Sequence, residues 1–217
     1  MPPIFVTGTD TGVGKTVVTA ALAAFSALCK GLDVGVMKPL EAGLTLHDKD
    51  LLPWDAIVLK EASGTQDDLS LINPYRFESP TAPETASELE HMRVDLELLD
   101  RTYNKLKATH QILFIEGAGG ILVPITRNFF YVDLMKRWDV RVLVVARLGL
   151  GTINHTLLTC DYLKHAGISV AGVILNDCEG KKDLATKTNP EMLARYLEVP
   201  LLGLFPYLET ASRGLPD

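Results

Sequence analysis

Cysteine is scarce in this chain. Its three thiols, Cys29, Cys160 and Cys178, are widely separated and form no C-x-x-C pair. That excludes a disulfide framework and a cysteine-based zinc site, and it fits buried or inert thiols in a reducing compartment. Histidine is nearly as sparse. His47, His91, His110 and His165 share no spacing with each other or with acids that would build a metal centre, and they read as ordinary surface residues. There is no run of Lys or Arg, and the formal net charge is −6, which argues against nucleic acid or an anionic membrane as the main partner. No apolar stretch reaches the roughly 20 residues of a membrane span. The first residues lack the basic, apolar, small-residue order of a secretory signal, so the expected location is the cytoplasm. Internal repeats, low-complexity segments and linkers are absent too. With 217 residues, 47% of them hydrophobic, the chain is expected to form one α/β domain over 1–217.

What is present is an alternation of short apolar runs with helical patterns, the signature of a mostly parallel, doubly wound sheet with helices on both faces. Strands are expected near Ile4–Thr7, Val34–Lys38, Gln111–Ile115, Arg141–Ala146, Val170–Leu175 and Leu201–Phe205. Helices are expected over Gly14–Lys30, near Asp55–Glu61, over Asp95–Lys107 and over Thr152–Ala166. Leu96, Leu99, Tyr103 and Leu106 give the third of these a clear apolar stripe. Pro74, Pro80 and Pro83 mark a rigid, irregular connection. Asn189-Pro190-Glu191 reads as a helix start, with Asn as the cap and Pro in the first helical position.

Gly8-Thr9-Asp10-Thr11-Gly12-Val13-Gly14-Lys15-Thr16 carries the most information. A strand feeding a glycine loop feeding a helix N-terminus turns backbone N–H groups and the positive end of a helix dipole toward a polyphosphate. Lys15 can then reach the β- and γ-phosphates, and the Thr16 hydroxyl can ligate Mg²⁺. Five residues separate Gly8 from Gly14, one more than in the common G-x-x-x-x-G-K-[ST] loop.

In a doubly wound sheet ligands gather outside the C-terminal strand ends. Lys15, Thr16, Lys38, Glu116 and Asn176 all fall at such ends. Glu116 is suited to complete a Mg²⁺ site with Thr16, because Mg²⁺ takes few protein oxygens beside phosphate and water. Asp55 reads equally as a third metal oxygen or as a helix cap. Lys38 offers a second cation to charge developing in phosphoryl transfer. Gly149-Leu150-Gly151-Thr152-Ile153-Asn154-His155 is a second glycine-to-helix junction and a possible anion site, with His155 read as a packing or capping residue.

Together these segments resemble dethiobiotin synthetases of the phosphate-loop NTPase superfamily along nearly the whole chain. The resemblance is carried by Gly8–Thr16, Met37-Lys38-Pro39, Asn73-Pro74-Tyr75, Ser79-Pro80-Thr81-Ala82-Pro83, Glu116-Gly117-Ala118-Gly119-Gly120, Gly149–His155, Gly172–Asn176 and Gly203-Leu204-Phe205-Pro206. It implies an ATP- and Mg²⁺-dependent ligase acting on 7,8-diaminopelargonate and CO₂ in biotin synthesis, through a carbamate and a carbamic–phosphoric mixed anhydride. It assigns Lys38, Lys15 and Thr11 to catalysis, and Thr16, Asp55 and Glu116 to the metal. Gly12, Val13, Gly14, Lys15, Thr16, Val17, Asn176 and Pro206 would receive the nucleotide. Lys38, Ala42, Gly117, Gly151, Thr152 and Asn154 would receive the substrate, the last three from the other subunit of a homodimer.

Three positions depart from the family pattern. Ala42 stands where a Ser or Thr is usual, Gly12 where some members carry Glu, and Glu84 where many carry His; these are expected to adjust affinity rather than change the reaction. A corrin-carboxylate amidotransferase is disfavoured because no Cys lies in a glutaminase motif. A partitioning ATPase is disfavoured because no Lys precedes Lys15 in the loop. A nucleotide-binding pseudoenzyme is disfavoured by Lys15, Lys38 and Glu116. Whether Leu44–Leu52 orders only on ligand binding is not fixed by composition.

Overall fold

Runs rich in Val, Ile and Leu become strands, and the amphipathic segments between them become helices. In the computed structural model, which describes residues 1–47 and 50–209, the chain begins with β1 (Ile4–Gly8), α1 (Lys15–Ala24), β2 (Val34–Met37), β3 (Leu40–Ala42), β4 (Leu46–His47) and β5 (Asp50–Leu51). Next come α2 (Trp54–Ser63), α3 (Leu69–Ile72), β6 (Tyr75–Phe77), α4 (Pro83–Leu89), α5 (Leu96–Thr109) and β7 (Ile112–Glu116). The remainder is β8 (Pro124–Thr126), β9 (Phe129–Phe130), α6 (Tyr131–Arg137), β10 (Arg141–Arg147), α7 (Thr152–His165), β11 (Val170–Asn176), α8 (Leu184–Tyr196) and β12 (Leu201–Phe205). Part of Leu44–Leu52, residues 48–49, lies outside the described residues.

Six strands form one parallel sheet in the order β12-β11-β10-β1-β7-β2. Alternation along each strand divides the apolar residues between two faces. Val34, Val36, Ile112 and Phe114 pack with Ala23, Ala56, Leu59 and Ile72 on one side. Met37, Leu113, Ile115, Val142 and Val144 join Leu99, Tyr103, Leu134 and Leu163 on the other. β1 lies at the centre, in register with β10 (Gly8 opposite Val145) and β7 (Val6 opposite Glu116), so the glycine loop leaves the sheet between two further strand ends.

Three expectations are corrected. Asn189-Pro190 does not start a helix: α8 begins six residues before Pro190 at Leu184, with Asp183 as its cap accepting from Thr186 N at 2.8 Å. Asn189 is instead buried in mid-helix and donates to Gly149 O at 2.6 Å. Tertiary bonding and an alternative cap outweigh the local signal of Asn-Pro. The first helix, by contrast, has the expected extent, α-helical to Ala24 and then a π-helical turn, Phe25–Cys29, ending at Lys30. The proline-rich connection is not wholly irregular, because β6 pairs in parallel with β3 and Pro83 starts α4. His110 is no ordinary surface residue. Its ring nitrogens lie 2.9 Å from Asp33 Oδ1 and 2.7 Å from Asp67 Oδ2, and its side chain is largely covered. Burial opposes its charge, but the two carboxylates outweigh it and raise its pKa.

Candidate active site at the phosphate loop

The loop is held by both backbone and core. Thr9 N donates to Val145 O at 3.0 Å, extending the sheet bonding past β1. The Val13 side chain is buried with Val6, Val18, Leu143 and Val145. Gly14 has φ +83°, and a Cβ there would overlap the Asn176 amide. A Cβ at Gly8 would lie 2.6 Å from Asp10 O and 2.9 Å from Lys15 Nζ, so the path of the loop depends on both glycines. Lys15 starts α1, is nearly buried, and donates to Asp10 O at 3.1 Å. Burial and the nearby Lys38 charge lower its pKa to about 8.

Beside the loop lies a compact polar cluster. Lys38 follows β2, and its Nζ lies 2.6 Å from Asp55 Oδ2 and 2.5 Å from Glu116 Oε1. Thr16 Oγ1 lies 2.9 Å from both Asp55 Oδ1 and Glu116 Oε1, within reach to donate to either. Burial opposes the charge on Lys38, but Asp55, Glu116 and Glu41 outweigh it and hold its pKa above the usual lysine range. Burial also opposes ionisation of Asp55, yet Lys38 and Thr16 hold its pKa below the usual range. Glu116 is fully buried, and desolvation raises its pKa despite Lys38. Asp55 is not the helix cap. It occupies the second position of α2 and turns its carboxyl into this cluster.

This donor set fits a divalent cation. Two carboxylates and a hydroxyl converge from three elements, and they are hard oxygens of the kind Mg²⁺ takes beside phosphate and water. Glu116 Oε2 is buried with no hydrogen-bond partner among the described residues, a deficit of ~1–3 kcal/mol that a cation or its water would relieve. Among the described residues no three of His, Cys, Asp and Glu are grouped around a metal position, so water and phosphate would complete the coordination.

Thr11, Gly12, Gly14, Lys15, Thr16, Val17, Lys38, Ala42, Asp55 and Glu116 line one cleft of about 690 Å³, to which Pro80–Pro83 also contribute. A second cleft shares Gly12, Gly14 and Val17 with it and adds Asn176, Phe205 and Pro206. Asn176 Nδ2 donates to Val13 O at 3.0 Å, joining the two. Gly117 is in the lining of neither; its N–H donates to Val6 O at 3.1 Å, and a Cβ there would come within 2.9 Å of the Phe5 ring. Gly151, Thr152 and Asn154 line neither cleft. Gly151 has φ +90° at the start of α7, and the Thr152 side chain is buried beside Thr156. Glu84 borders a separate cavity with Arg93 and Arg127.

Sequence reasoning missed two supporting side chains. Buried Asn73 donates to Lys38 O at 2.7 Å and fixes the backbone that carries the cation. Asn immediately before Pro74 was the available signal for a turn-forming amide. Glu41 accepts from Asp55 N at 2.8 Å and from Ala56 N at 3.2 Å. Burial, opposed by Lys38, raises its pKa to about 7. No sequence pattern links Glu41 to a helix that starts at Trp54.

A parallel sheet with a glycine loop between its central strand and the first helix defines a phosphate-loop, ATP-binding protein. The model of an AAA domain family matches residues 3–213. The ATP-dependent dethiobiotin synthetase BioD of Thermodesulfovibrio yellowstonii is 45% identical, covering 96% of this chain and 90% of its own. The BioD of Bacillus licheniformis is 43% identical over 98% of this chain and 88% of its own. The chain belongs to the ATP-dependent dethiobiotin synthetase family. Among solved structures, the cell division ATPase MinD of Pyrococcus furiosus superposes with TM-score 0.59 at 24% identity, covering 99% of this chain and 87% of its own. The septum site-determining protein MinD of Pyrococcus horikoshii gives 0.58 at 20% identity, covering 98% and 84%. These two likenesses concern the fold alone. No described helix is long and apolar enough to cross a membrane.

Proposed function

We propose that this chain converts 7,8-diaminopelargonate, CO₂ and ATP into dethiobiotin, ADP and phosphate, with Mg²⁺ as cofactor. It would do so as a cytoplasmic homodimer whose subunits are single phosphate-loop domains spanning 1–217. The observation that carries the reading is the convergence of Lys15, Thr16, Lys38, Asp55 and Glu116 on one cleft in a chain 45% identical to a named synthetase. The match of one family model to residues 3–213 and the single six-stranded sheet support the single domain.

One amine of the substrate adds to CO₂ and loses a proton, giving a carbamate. A carbamate oxygen attacks the γ-phosphorus, the bond to the ADP oxygen breaks, and a carbamic–phosphoric mixed anhydride forms. The second amine then attacks the carbamoyl carbon, loses a proton and expels phosphate, closing the cyclic urea. Each step moves negative charge among oxygens, so fixed cations and oriented donors do most of the work. Lys15 and Thr11 face the transferring phosphoryl group, and Lys38 holds the carbamate beside it. Thr16, Asp55 and Glu116 would hold Mg²⁺, which would supply charge neutralisation at the phosphates. Loop amides from Gly12 to Val17 cradle the phosphates, and Asn176 with Pro206 receives adenine. Ala42 offers no hydroxyl at the carbamate, so a water would take that place.

Gly151, Thr152 and Asn154 receive the substrate carboxylate from the partner subunit. Their absence from both clefts and the near-complete exposure of Leu150 (93%) support a site shared across a dimer. Phosphate release from MgATP, with diamine and bicarbonate each omitted in turn, tests the reading. Release should require both; hydrolysis indifferent to the diamine would sink it.

A further inference from the structure

Helix α2 brings Asp55 to the site, yet it starts without a cap of its own. Pro53 stands in the cap position and makes no side-chain bond to the first turn. Trp54, Asp55 and Ala56 are then the first three helical residues, and cap side chains ordinarily serve the amides of the second and third. Here both are served from another element. Glu41 of β3, only 5% exposed, accepts from Asp55 N through Oε1 at 2.8 Å and from Ala56 N through Oε2 at 3.2 Å. A carboxylate at this end is also favoured by the helix dipole.

We propose that Glu41 is a positioning residue: its carboxylate, clamped to the second and third amides of α2, fixes the direction in which Asp55 enters the site and so sets how tightly the divalent cation is held. The proposal rests on the reading of Asp55 as a metal ligand. Its frame is rigid on both sides. β3 is paired with β6, Glu41 opposite Arg76, while Asn73 and Ile72 bond the Lys38 backbone three residues earlier. One short stretch therefore sets the Lys38 cation and the Asp55 backbone together. The Asp55 residue is held at its N–H by Glu41 and at its carboxyl by Thr16 and Lys38. With the amide released, rotation of the first helical turn would swing the carboxyl away from Thr16 and Glu116.

The test measures Mn²⁺ affinity by electron paramagnetic resonance on the full chain with a non-hydrolysable ATP analogue. It compares wild type, Glu41→Ala, Glu41→Gln and Asp55→Asn, alongside nucleotide affinity without metal and thermal unfolding. Glu41→Ala should weaken Mn²⁺ binding about tenfold, the scale of a lost charged cap. Glu41→Gln, which keeps one acceptor, should weaken it less, and metal-free nucleotide affinity should stay within about twofold of wild type. If Asp55→Asn weakens Mn²⁺ but neither Glu41 variant does, Glu41 only stabilises the fold and the proposal is overturned. If Asp55→Asn also leaves Mn²⁺ affinity unchanged, the metal reading itself falls. Should Glu41→Ala fail to fold, Glu41→Gln carries the same comparison.

Discussion

Replacing Lys38 by Ala should damage catalysis and stability through the same two carboxylates. The ammonium sits between Asp55 Oδ2 at 2.6 Å and Glu116 Oε1 at 2.5 Å, with Lys38 and Glu116 both buried. Removing one partner of a buried ion pair costs ~3–5 kcal/mol, because the remaining charge is stranded. Asp55 is a third exposed and the cleft admits water, so about 2–3 kcal/mol is the expected loss near pH 8. The sign with pH follows from Glu116, whose folded pKa burial already raises. A carboxyl with a folded pKa above its unfolded value, roughly 4.3, destabilises once ionised. The deficit should therefore grow as pH rises through the folded value and shrink as it falls. Millimolar Mg²⁺ without nucleotide should recover part of it, because the cation takes the place of the ammonium. Turnover should fall about 10²–10³-fold, the scale of one lost electrostatic donor, while ATP affinity changes only a few-fold. Urea unfolding of both proteins at pH 6 and pH 8, with and without Mg²⁺, reads the stability terms. A deficit independent of pH and of Mg²⁺ would refute the reasoning, and near-normal turnover would remove Lys38 from the mechanism.

His110→Gln should cost about 1–2 kcal/mol near pH 6, discounted because Asp33 is more than half exposed. The raised folded pKa makes this stabilisation complete below the unfolded value, roughly 6.5, and it should fade as pH rises through the folded value; an equal deficit at pH 6 and pH 9 would contradict the ion-paired imidazolium. Asp183→Ala should lose about 1 kcal/mol in urea unfolding as the cap of α8, and would be silent if Asn189 began that helix. Lys15→Ala should abolish tight ATP binding rather than only slow turnover, which calorimetry with MgATP would show.

The sheet was legible because buried parallel strands are written as continuous apolar runs, as in Ile112–Ile115 and Val142–Ala146. The loop was legible because its glycines, Lys15 and Thr16 are contiguous. Lys38 and Glu116 could be placed near it because the fold class puts strand ends together. What escaped depends on distant pairing. β3 and β6 are three-residue strands that gain order from each other, with no periodicity to announce them. Asn189-Pro190 misled because a local cap signal was read where a buried amide bonds Gly149 across the fold. His110 looked ordinary because Asp33 and Asp67 stand far from it along the chain.

Asn176 ties the wall of the cleft proposed for the base to the phosphate loop, through Val13 O and through the space left by Gly14. If adenine sits in that cleft as proposed, base preference and the geometry of Lys15 would share a mechanical element. A variant of Asn176 made to accept another base would also loosen the loop beneath the phosphates, so an enzyme retuned there should become slower as it becomes less selective. Phe205 stands in register with Asn176 on the neighbouring strand and shares that coupling, so nucleotide preference would be better altered at Pro206, one residue beyond the paired stretch.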